Sequence, residues 1–429
     1  MGNPTTKRPT PAVLRRLRVS KDKLVRRARK VREASKRRLR QKAVRVALWS
    51  SLLLLVVSYL VNNMALFTGE QLDNFALVAF LRSLSNSNNL SASSSDEDEI
   101  LYINVAYDKA LTHYTYHNDR TGKDVVMGTV EITDREKLLR LLTLLSNTDY
   151  RYIIMDVRFE RGYEALQQGL DTALFRQIQQ MRDIVIATHP GVVPMTDMLD
   201  SVTAYNDYYS TITATNFVRY NYIHRGRPTM PLVAYEELTG NTITPHAAGL
   251  FYTSDAHLCH KSLFLGFDKA GTGRDGEQRL GHDILSVDNA QDRLKKAAKD
   301  KIVVIGDFDN DLHDTYAGRH SGGKLLATAL RALERHKHYV NWWLVLLLFG
   351  LYSTLTYSMY SDKRWFEYVP LLRDMHFPLA KFFLSFIGYS AVLLLCAFLL
   401  ALLFDIYLTF FVPSLWLSVL SSYITYKRQ

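Results

Sequence analysis

Long apolar segments constrain this sequence more than any other feature, because about 20 consecutive apolar residues can cross a bilayer as a helix. Four segments approach or reach that length. The third is continuous and uncharged, and the fourth is interrupted by Pro413, which a membrane helix can tolerate. We therefore predict four α-helical transmembrane segments, at residues 46–61, 340–360, 382–404 and 406–425.

The distribution of charge predicts how these helices are oriented. The first 45 residues hold 18 of the 53 Lys and Arg residues and only two acids, Asp22 and Glu33. More basic residues lie in the loop at 361–381 and after the fourth segment. Cytoplasmic loops of membrane proteins carry an excess of Lys and Arg. We therefore expect both termini and this loop in the cytoplasm, and residues 62–339 outside it.

A cleaved signal peptide is the alternative interpretation of the first apolar segment. A basic leader of 45 residues is too long for an ordinary signal peptide. No clear small-x-small cleavage site follows residues 46–61. These features favour a retained membrane anchor.

The region outside the membrane has the pattern of an α/β domain that begins near residue 100. A Ser/Asn-rich and then acidic stretch at 83–99 indicates a linker, after a short outer helix at 69–84. Near-continuous apolar strands alternate with helices from there to residue 336, which indicates a mainly parallel, buried sheet. The Tyr- and Thr-rich region at 203–267 predicts added antiparallel strands and one helix near 231–238. The strands are expected at 100–105, 152–157, 183–187 and 301–306, and the helices at 134–146, 171–181, 294–300 and 323–336.

Residues that could carry chemistry give no support to an enzyme. Cys259 and Cys396 lie in segments of different character and are not expected to form a disulfide or a zinc site. His113, His117 and His189 lie in separate polar segments without metal-ligand spacing, so exposed loop histidines are favoured. No Ser-His-Asp or Cys-His arrangement has a recognisable spacing. We predict no catalytic residue, no metal ligand and no cofactor.

Several segments of this region match one family pattern in order. EILYINVAYDKAL at 99–111 and RYIIMDVRFERG at 151–162 are similar to its first two strands. LSVDNAQDRLKKAAKDKIVVIGDFDNDLHDTYAG at 285–318 is the closest stretch, and SGGKLLATALRALERH at 321–336 is similar to its last helix. The chain thereby resembles the second class of CHASE domain, the cyclases/histidine kinases associated sensory extracellular domain.

The resemblance implies a sensory domain outside the cytoplasm, with one membrane span before it and three after it. The sequence departs from the family at the first strand, where Asn104 and Tyr107 intrude among the usual acids and only Asp108 remains. Family members typically continue into a cytoplasmic kinase, cyclase or phosphatase domain, whereas this sequence ends four residues after the fourth predicted span. We therefore expect the signal to pass to a separate cytoplasmic protein.

The segment DFDNDLHDTYAGRHSGGK, residues 307–324, combines four aspartates with a glycine-rich turn. It is not a standard EF-hand, because Leu312 and Gly318 stand where that motif needs Gly and Glu. GRHSGGK fits a nucleotide phosphate loop, but Leu325 follows its Lys where Ser or Thr would bind Mg²⁺. Neither motif is therefore expected to operate here.

Two ion-binding hypotheses for this segment stay open. A looser Ca²⁺ or Mg²⁺ site could use Asp307, Asp311 and Asp314, because hard cations need clustered oxygens. A small anion could bind the free N–H groups at the start of the following helix, beside Arg319 and Lys324. The alternative to both is a solvated acidic loop.

A third hypothesis makes this segment one side of a sensory site. Asp108, Asp156, Arg158 and Asp307 lie at the ends of neighbouring predicted strands. The carboxyl ends of parallel strands meet at one edge of a sheet, where ligand crevices form. The alternative is that Asp156 and Asp307 only cap loops and pair with Arg158.

The basic tail suggests a membrane-surface role. Leu14, Leu17, Leu24, Ala28 and Val31 recur at helical spacing between Lys and Arg residues. Such a helix next to a membrane is expected to bind anionic lipid. Nucleic acid is a disfavoured partner for a membrane-tethered tail, and docking onto a separate output protein is the further option.

Together these features predict a multi-pass protein of the bacterial cytoplasmic (inner) membrane that senses a ligand outside the cytoplasm and can form a homo-oligomer. An envelope assembly factor, using the same domain to bind protein, is the alternative. An enzyme outside the cytoplasm is the third possibility.

Overall fold

The chain is described by a computed structural model with defined gaps. It covers residues 34, 37–38, 40–61, 99–118, 122–206, 219–224, 226–265, 277–315, 318–360, 378–404 and 410–428. The predicted outer helix and linker at 62–98, and most of the basic tail, lie outside the described residues. The described residues form two compact units, one within Met1–Val57, Trp342–Tyr389 and Pro413–Gln429, the other within Ser58–Asn341 and Ser390–Val412.

Seventeen strands and nine α-helices are defined in these ranges. The strands are β1 Ile100–Asn104, β2 Lys109–Asn118, β3 Lys123–Thr133, β4 Tyr152–Met155, β5 Ile184–Thr188, β6 Thr203–Tyr205, β7 Arg219–Asn221, β8 Ile223–His224, β9 Arg227–Pro228, β10 Thr244–His246, β11 Phe251–Ser254, β12 His257–Cys259, β13 Ser262–Phe264, β14 Glu277–Arg279, β15 Ile302–Gly306, β16 Leu312–Thr315 and β17 Gly318–Ser321. The helices are α1 Arg40–Val61, α2 Arg135–Leu145, α3 Leu170–Gln180, α4 Met230–Thr239, α5 Ala290–Ala298, α6 Gly322–Glu334, α7 Trp342–Tyr360, α8 Pro378–Phe404 and α9 Phe411–Arg428.

The α/β region is organised around a six-stranded sheet in the order β14-β1-β15-β4-β5-β6. Every neighbouring pair in it is parallel. This confirms the predicted mainly parallel sheet and adds β14 as an edge strand that the apolar pattern did not indicate. β15 is the last of the six in the chain, yet it lies inside the sheet between β1 and β4.

Both faces of the sheet are covered, because successive residues of each strand point to opposite sides. Tyr152 and Ile154 belong to one buried cluster, whereas Ile153 and Met155 belong to the other. Helices α4 and α6 cover the first face, and α2, α3 and α5 cover the second. This explains why the strands read as continuous apolar runs rather than as alternating ones.

The predicted start of α2 is confirmed by its cap. The Asp134 carboxylate accepts hydrogen bonds from the backbone N–H groups of Glu136 and Lys137, at 3.0 and 3.1 Å. Such a cap satisfies two N–H groups that the helix itself leaves without partners. The predicted helix at 294–300 is shifted, because α5 begins at Ala290 and ends at Ala298.

The antiparallel additions are more extensive than the sequence indicated. β10, β11 and β12 form a three-stranded sheet, and β7–β13 and β8–β9 form pairs within the predicted Tyr-rich region. β6 departs from that prediction, because it joins the parallel sheet. The long hairpin β2–β3 was missed, since β3 is largely exposed and the hairpin lacks a regular apolar alternation. The loop predicted at 307–324 also contains a hairpin, β16–β17.

Residues 335–341, which we term the neck, connect α6 to α7. The neck is held to β12 and the residue after it, because Val340 N donates to Leu258 O and His260 N donates to His338 O, both at 2.8 Å. His338 is fully buried, and neither of its ring nitrogens has a hydrogen-bond partner. Burial, together with nearby His336 and His260, lowers the pKa of His338 to about 3. The neck therefore contains a histidine that the fold keeps neutral.

Three described helices are long and apolar enough to cross a membrane: Arg40–Val61, Trp342–Met359 and Phe382–Leu400. They correspond to the first three predicted spans. The fourth prediction is met only by a shorter apolar segment, Phe411–Ile424, within α9. Pro413 lies in the first turn of α9, where it removes no helical hydrogen bond.

Candidate functional site

A cavity of about 600 Å³ lies at the carboxyl edge of the parallel sheet. Five strands contribute to it the first residue after their own last residue. These are Val105 after β1, Asp156 after β4, His189 after β5, Asn206 after β6 and Asp307 after β15. Open α/β sheets place ligand crevices at this edge. The volume is within the range of small-molecule sites in proteins, about 300–1,000 Å³.

Asp156 is fixed at the centre of this edge. Its backbone N–H donates to the carbonyl of Ile305 at 2.7 Å, which continues the pairing of β4 with β15. Its Oδ1 accepts a hydrogen bond of 2.7 Å from Nδ2 of Asn206. Burial and the neighbouring Asp311 carboxylate raise the pKa of Asp156 to about 6, against the opposing effect of the Asn206 bond. A positive charge bound nearby would therefore stabilise the ionised form of the Asp156 carboxylate.

The start of α6 brings a second carboxylate to the same place. Gly322 N donates to the Asp311 carbonyl at 3.0 Å. A Cβ at Gly322 would collide with Oδ2 of Asp311 and would lie 3.2 Å from Oδ2 of Asp156. The absence of a side chain at Gly322 thus allows both carboxylates to approach one point. On the other side, Asp311 Oδ1 lies 3.1 Å from Nε2 of His313.

Asp307 holds the loop after β15 in shape. Its carboxylate accepts hydrogen bonds from Lys109 Nζ at 3.0 Å and from Asn310 N at 2.9 Å. Burial favours a higher pKa for Asp307, but these bonds outweigh it and lower that pKa overall. Asn104 ties the same loop to β1, since its Nδ2 donates to Asp309 Oδ2 at 2.8 Å. Asp307 therefore lines the cavity as part of an ion pair.

The structure brings together four of the predicted site residues. Asp156, Arg158, Asp307 and Asp311 all line the cavity. Arg158 is exposed and pairs with Glu160, at 3.2 Å between Nη1 and Oε1. The ion pair of Arg158 is thus with Glu160, and not with Asp156 or Asp307 as in the alternative to the sensory-site hypothesis.

The other predicted residues lie elsewhere. Asp108 is buried, and its carboxylate accepts hydrogen bonds from Lys137 Nζ at 2.7 Å and from Gly281 N at 3.0 Å. Asp314 and Arg319 face each other across the β16–β17 hairpin, with Nε 3.2 Å from Oδ1. Lys324 Nζ lies 5.8 Å from the centre of the Tyr102 ring.

The two ion hypotheses gain no support from this arrangement. Within the ranges that the structure describes, no group of three or more His, Cys, Asp or Glu side chains could hold a metal ion. Asp314 also points away to Arg319, so the three aspartates do not form one site. At the start of α6 the carboxylates of Asp156 and Asp311 already approach Gly322, and they would repel an anion there.

Three cavity residues were missed from the sequence. His189 was assigned to an exposed loop, but it is partly buried in the cavity wall after β5. Asn206 follows β6, a strand of three residues that was expected to be antiparallel. Arg135 was overlooked as the first residue of an amphipathic helix, and only its position directly after the Asp134 cap distinguishes it.

No protein-family model, no curated protein and no solved structure matches this chain. Function is therefore inferred from the cavity and from the apolar helices.

Proposed function

We propose that this protein is a membrane-bound sensor or receptor subunit whose α/β domain lies outside the cytoplasm and binds a small ligand. The cavity at the carboxyl edge of the sheet is the observation that carries the proposal, because five strands converge on it and it contains unlike charges. The resemblance to the second class of CHASE domain adds the expected setting. That setting is the bacterial cytoplasmic membrane with four spans, counting Phe411–Ile424 as the fourth.

The order of elements along the chain supports a route for the signal. Asp311 and Gly322 form part of the cavity wall, and Gly322 is the first residue of α6. Only the neck, residues 335–341, separates the end of α6 from α7. A ligand that draws the two carboxylates together acts directly on the start of α6. The shift would then pass through α7 to a separate cytoplasmic output protein.

Ligand-dependent stabilisation tests the proposal. The full chain in detergent micelles would be heated with small anions, divalent cations and cell-envelope metabolites, including amino acids. A ligand at 100 times its dissociation constant should raise the free energy of unfolding by about 2.7 kcal/mol. We expect Asp311→Asn to reduce this effect and Asp314→Asn to preserve it. The two side chains are matched controls, since they are 47% and 49% exposed and lie close in sequence.

A domain that folds but is stabilised by no compound would contradict the sensor proposal. It would favour the alternative of an envelope assembly factor. One observation supports that alternative: the β2–β3 hairpin exposes apolar side chains at Leu111, Tyr116, Val125, Val126 and Met127. Turnover of a bound compound would instead indicate the third possibility, an enzyme. We propose that no catalysis occurs.

The basic tail is proposed to bind anionic lipid at the cytoplasmic surface, with each Lys or Arg contributing about 1 kcal/mol near the membrane. We expect a peptide of residues 9–40 to bind vesicles of phosphatidylglycerol and phosphatidylcholine, and to release them as salt is raised. Pure phosphatidylcholine vesicles are the control. Equal binding to both would contradict an electrostatic role. Stable binding to nucleic acid or to a cytoplasmic protein, without binding to lipid, would favour another partner.

A further inference from the structure

Arg135 places a buried positive charge at one side of the cavity. Its side chain is 2% exposed, and its guanidinium lies 4.3 Å from the centre of the Phe159 ring. Nη2 donates to the Arg158 carbonyl at 3.4 Å, and Nε lies 3.6 Å from Asp171 Oδ1. Nε therefore forms an ion pair with Asp171, whereas Nη1 has no hydrogen-bond partner. Burial lowers the pKa of Arg135 to about 10, so the group remains charged at neutral pH.

A buried guanidinium with unsatisfied N–H groups is costly unless something accepts from it. A carboxylate oxygen of a ligand would supply the acceptor that Nη1 lacks, through a charge-assisted hydrogen bond. Each Lys and Arg of the lining is already paired with a carboxylate, Arg135 with Asp171, Lys109 with Asp307 and Arg158 with Glu160. This arrangement favours a single negative charge over a phosphate dianion.

A second part of the cavity, where Asp156 and Asp311 approach each other, is rich in acceptor oxygens and suits a positively charged group. Both Oδ2 atoms lie around Gly322. Asn206 adds a third oxygen, because its Nδ2 is used by Asp156 and its buried Oδ1 has no hydrogen-bond partner. An ammonium group has three N–H donors and a positive charge. It would satisfy three acceptors and relieve the repulsion between two carboxylates.

We propose that the cavity binds a small zwitterion, an α-amino acid, with its carboxylate at Arg135 and its ammonium group at Asp156, Asp311 and Asn206. This inference rests on the proposed function and names the class of ligand for the same cavity. Apolar side chains complete the wall and are available to a ligand side chain: Val105, Val157, Leu325 and Leu326. They favour an amino acid with an apolar side chain.

The test uses L-leucine and L-phenylalanine as probes, on the full chain in detergent micelles. For each probe one analogue lacks the ammonium group (4-methylpentanoate, 3-phenylpropanoate) and one lacks the carboxylate (3-methylbutylamine, 2-phenylethylamine). We expect the amino acid to bind at least tenfold more tightly than either analogue by isothermal titration calorimetry. Binding should weaken below about pH 6, where Asp156 takes up a proton in the empty site.

Two variants separate the two ends of the site. Asp156→Asn should weaken the amino acid at least tenfold while leaving the weak binding of 3-phenylpropanoate unchanged. Arg135→Met should also weaken the amino acid at least tenfold, but it should leave the weak binding of 2-phenylethylamine unchanged. Asp314 lies outside the cavity, so the Asp314→Asn protein should bind the amino acid as tightly as the parent protein. Asp156→Asn should also raise the melting temperature of the empty protein above pH 6, because it removes an ionised carboxylate that burial disfavours. That result would show that lost binding is not lost folding.

Several results would overturn the inference. Binding of Mg²⁺ or Ca²⁺ alone, lost in Asp156→Asn, would make the acidic end a cation site. Equal affinity for an amino acid and its deaminated analogue would leave the acidic end without a role. If neither amino acid binds but another compound in the stability screen does, this inference fails and the proposed function stands. If nothing binds, both fail.

Discussion

Acidification from pH 7.5 to 5 is expected to lower the free energy of opening the neck by about 2 kcal/mol through His338 alone. Burial holds the pKa of His338 at about 3 in the native state. Once the neck opens, its pKa returns to about 6.5. The stabilising effect of neutral His338 is therefore fully present above about pH 6.5 and is lost progressively as the pH falls towards 3.

The groups around His338 explain why it stays neutral. Its ring lies 5.3 Å from that of Tyr235 and 4.4 Å from that of Tyr339. His336 in the neck and His260, the residue after β12, also disfavour the protonated form of His338, and burial lowers the pKa of His260 itself to about 4. His260 should therefore add an acid sensitivity of the same sign, and removing His338 should leave part of the effect.

Amide hydrogen exchange on the full chain in micelles measures this directly. The N–H groups of Val340 and His260 report opening of the neck, because their acceptors are Leu258 and His338. His338→Phe should remove about 2 kcal/mol of the acid-induced loss. The substitution should lower stability little at neutral pH, since the imidazole nitrogens have no hydrogen bond to lose. His257→Phe, at an exposed ring stacked on Tyr339, is the control and should keep the parent pH dependence. An unchanged profile in His338→Phe would contradict this explanation.

Asp108→Ala is expected to destabilise the α/β domain by about 3 kcal/mol. The Asp108 carboxylate joins two elements that are distant in sequence, since it accepts from Lys137 on α2 and from the backbone of Gly281. Alanine leaves the Gly281 N–H without its acceptor in a buried site. The Lys137 side chain is 41% exposed and can turn to water, which limits the cost of its lost partner.

Asp108→Asn separates the charge from the hydrogen bond. The amide oxygen still accepts from Gly281 N, so we expect a loss of only about 1 kcal/mol. Denaturant unfolding of the three proteins in the same micelles, with the midpoint and slope fitted together, gives the comparison. Equal losses in the two variants would show that the charge, rather than the acceptor, matters. Loss of ligand binding in Asp108→Asn would place Asp108 in the binding site after all.

The apolar pattern of the sequence was sufficient to predict the central strands of the sheet. β1, β4, β5 and β15 are nearly continuous apolar runs because both faces of the sheet are covered, and such runs can be recognised directly in the sequence. The edge strands β6 and β14 have three residues each and carry no such signal. β3 is largely exposed, so no apolar alternation marks the β2–β3 hairpin. Tertiary pairing, not local preference, determines those elements.

A charged residue that directly follows an apolar strand was the clearest signal of the candidate site in the sequence. Asp156 and Asp307 follow that rule, and both line the cavity. Asp108 fails it, because it stands four residues beyond the end of β1 and turns towards Gly281 instead. Arg135 reaches the cavity from the start of a helix, and its role depends on burial that the sequence does not reveal. Side-chain direction after a turn therefore limits such predictions.

The position of β15 also has a consequence for how this chain acquires its structure. β1 and β4 are made early, but each pairs with β15, as in Ile100 with Ile302 and Tyr152 with Ile302. Until residue 306 has emerged, two inner strand edges stay unpaired, and open edges favour aggregation. Pairing over such sequence distances is intrinsically slow. A chain cut before Ile302 would therefore be two unfinished half-sheets rather than a smaller stable domain, and protection of the growing chain becomes part of its biogenesis.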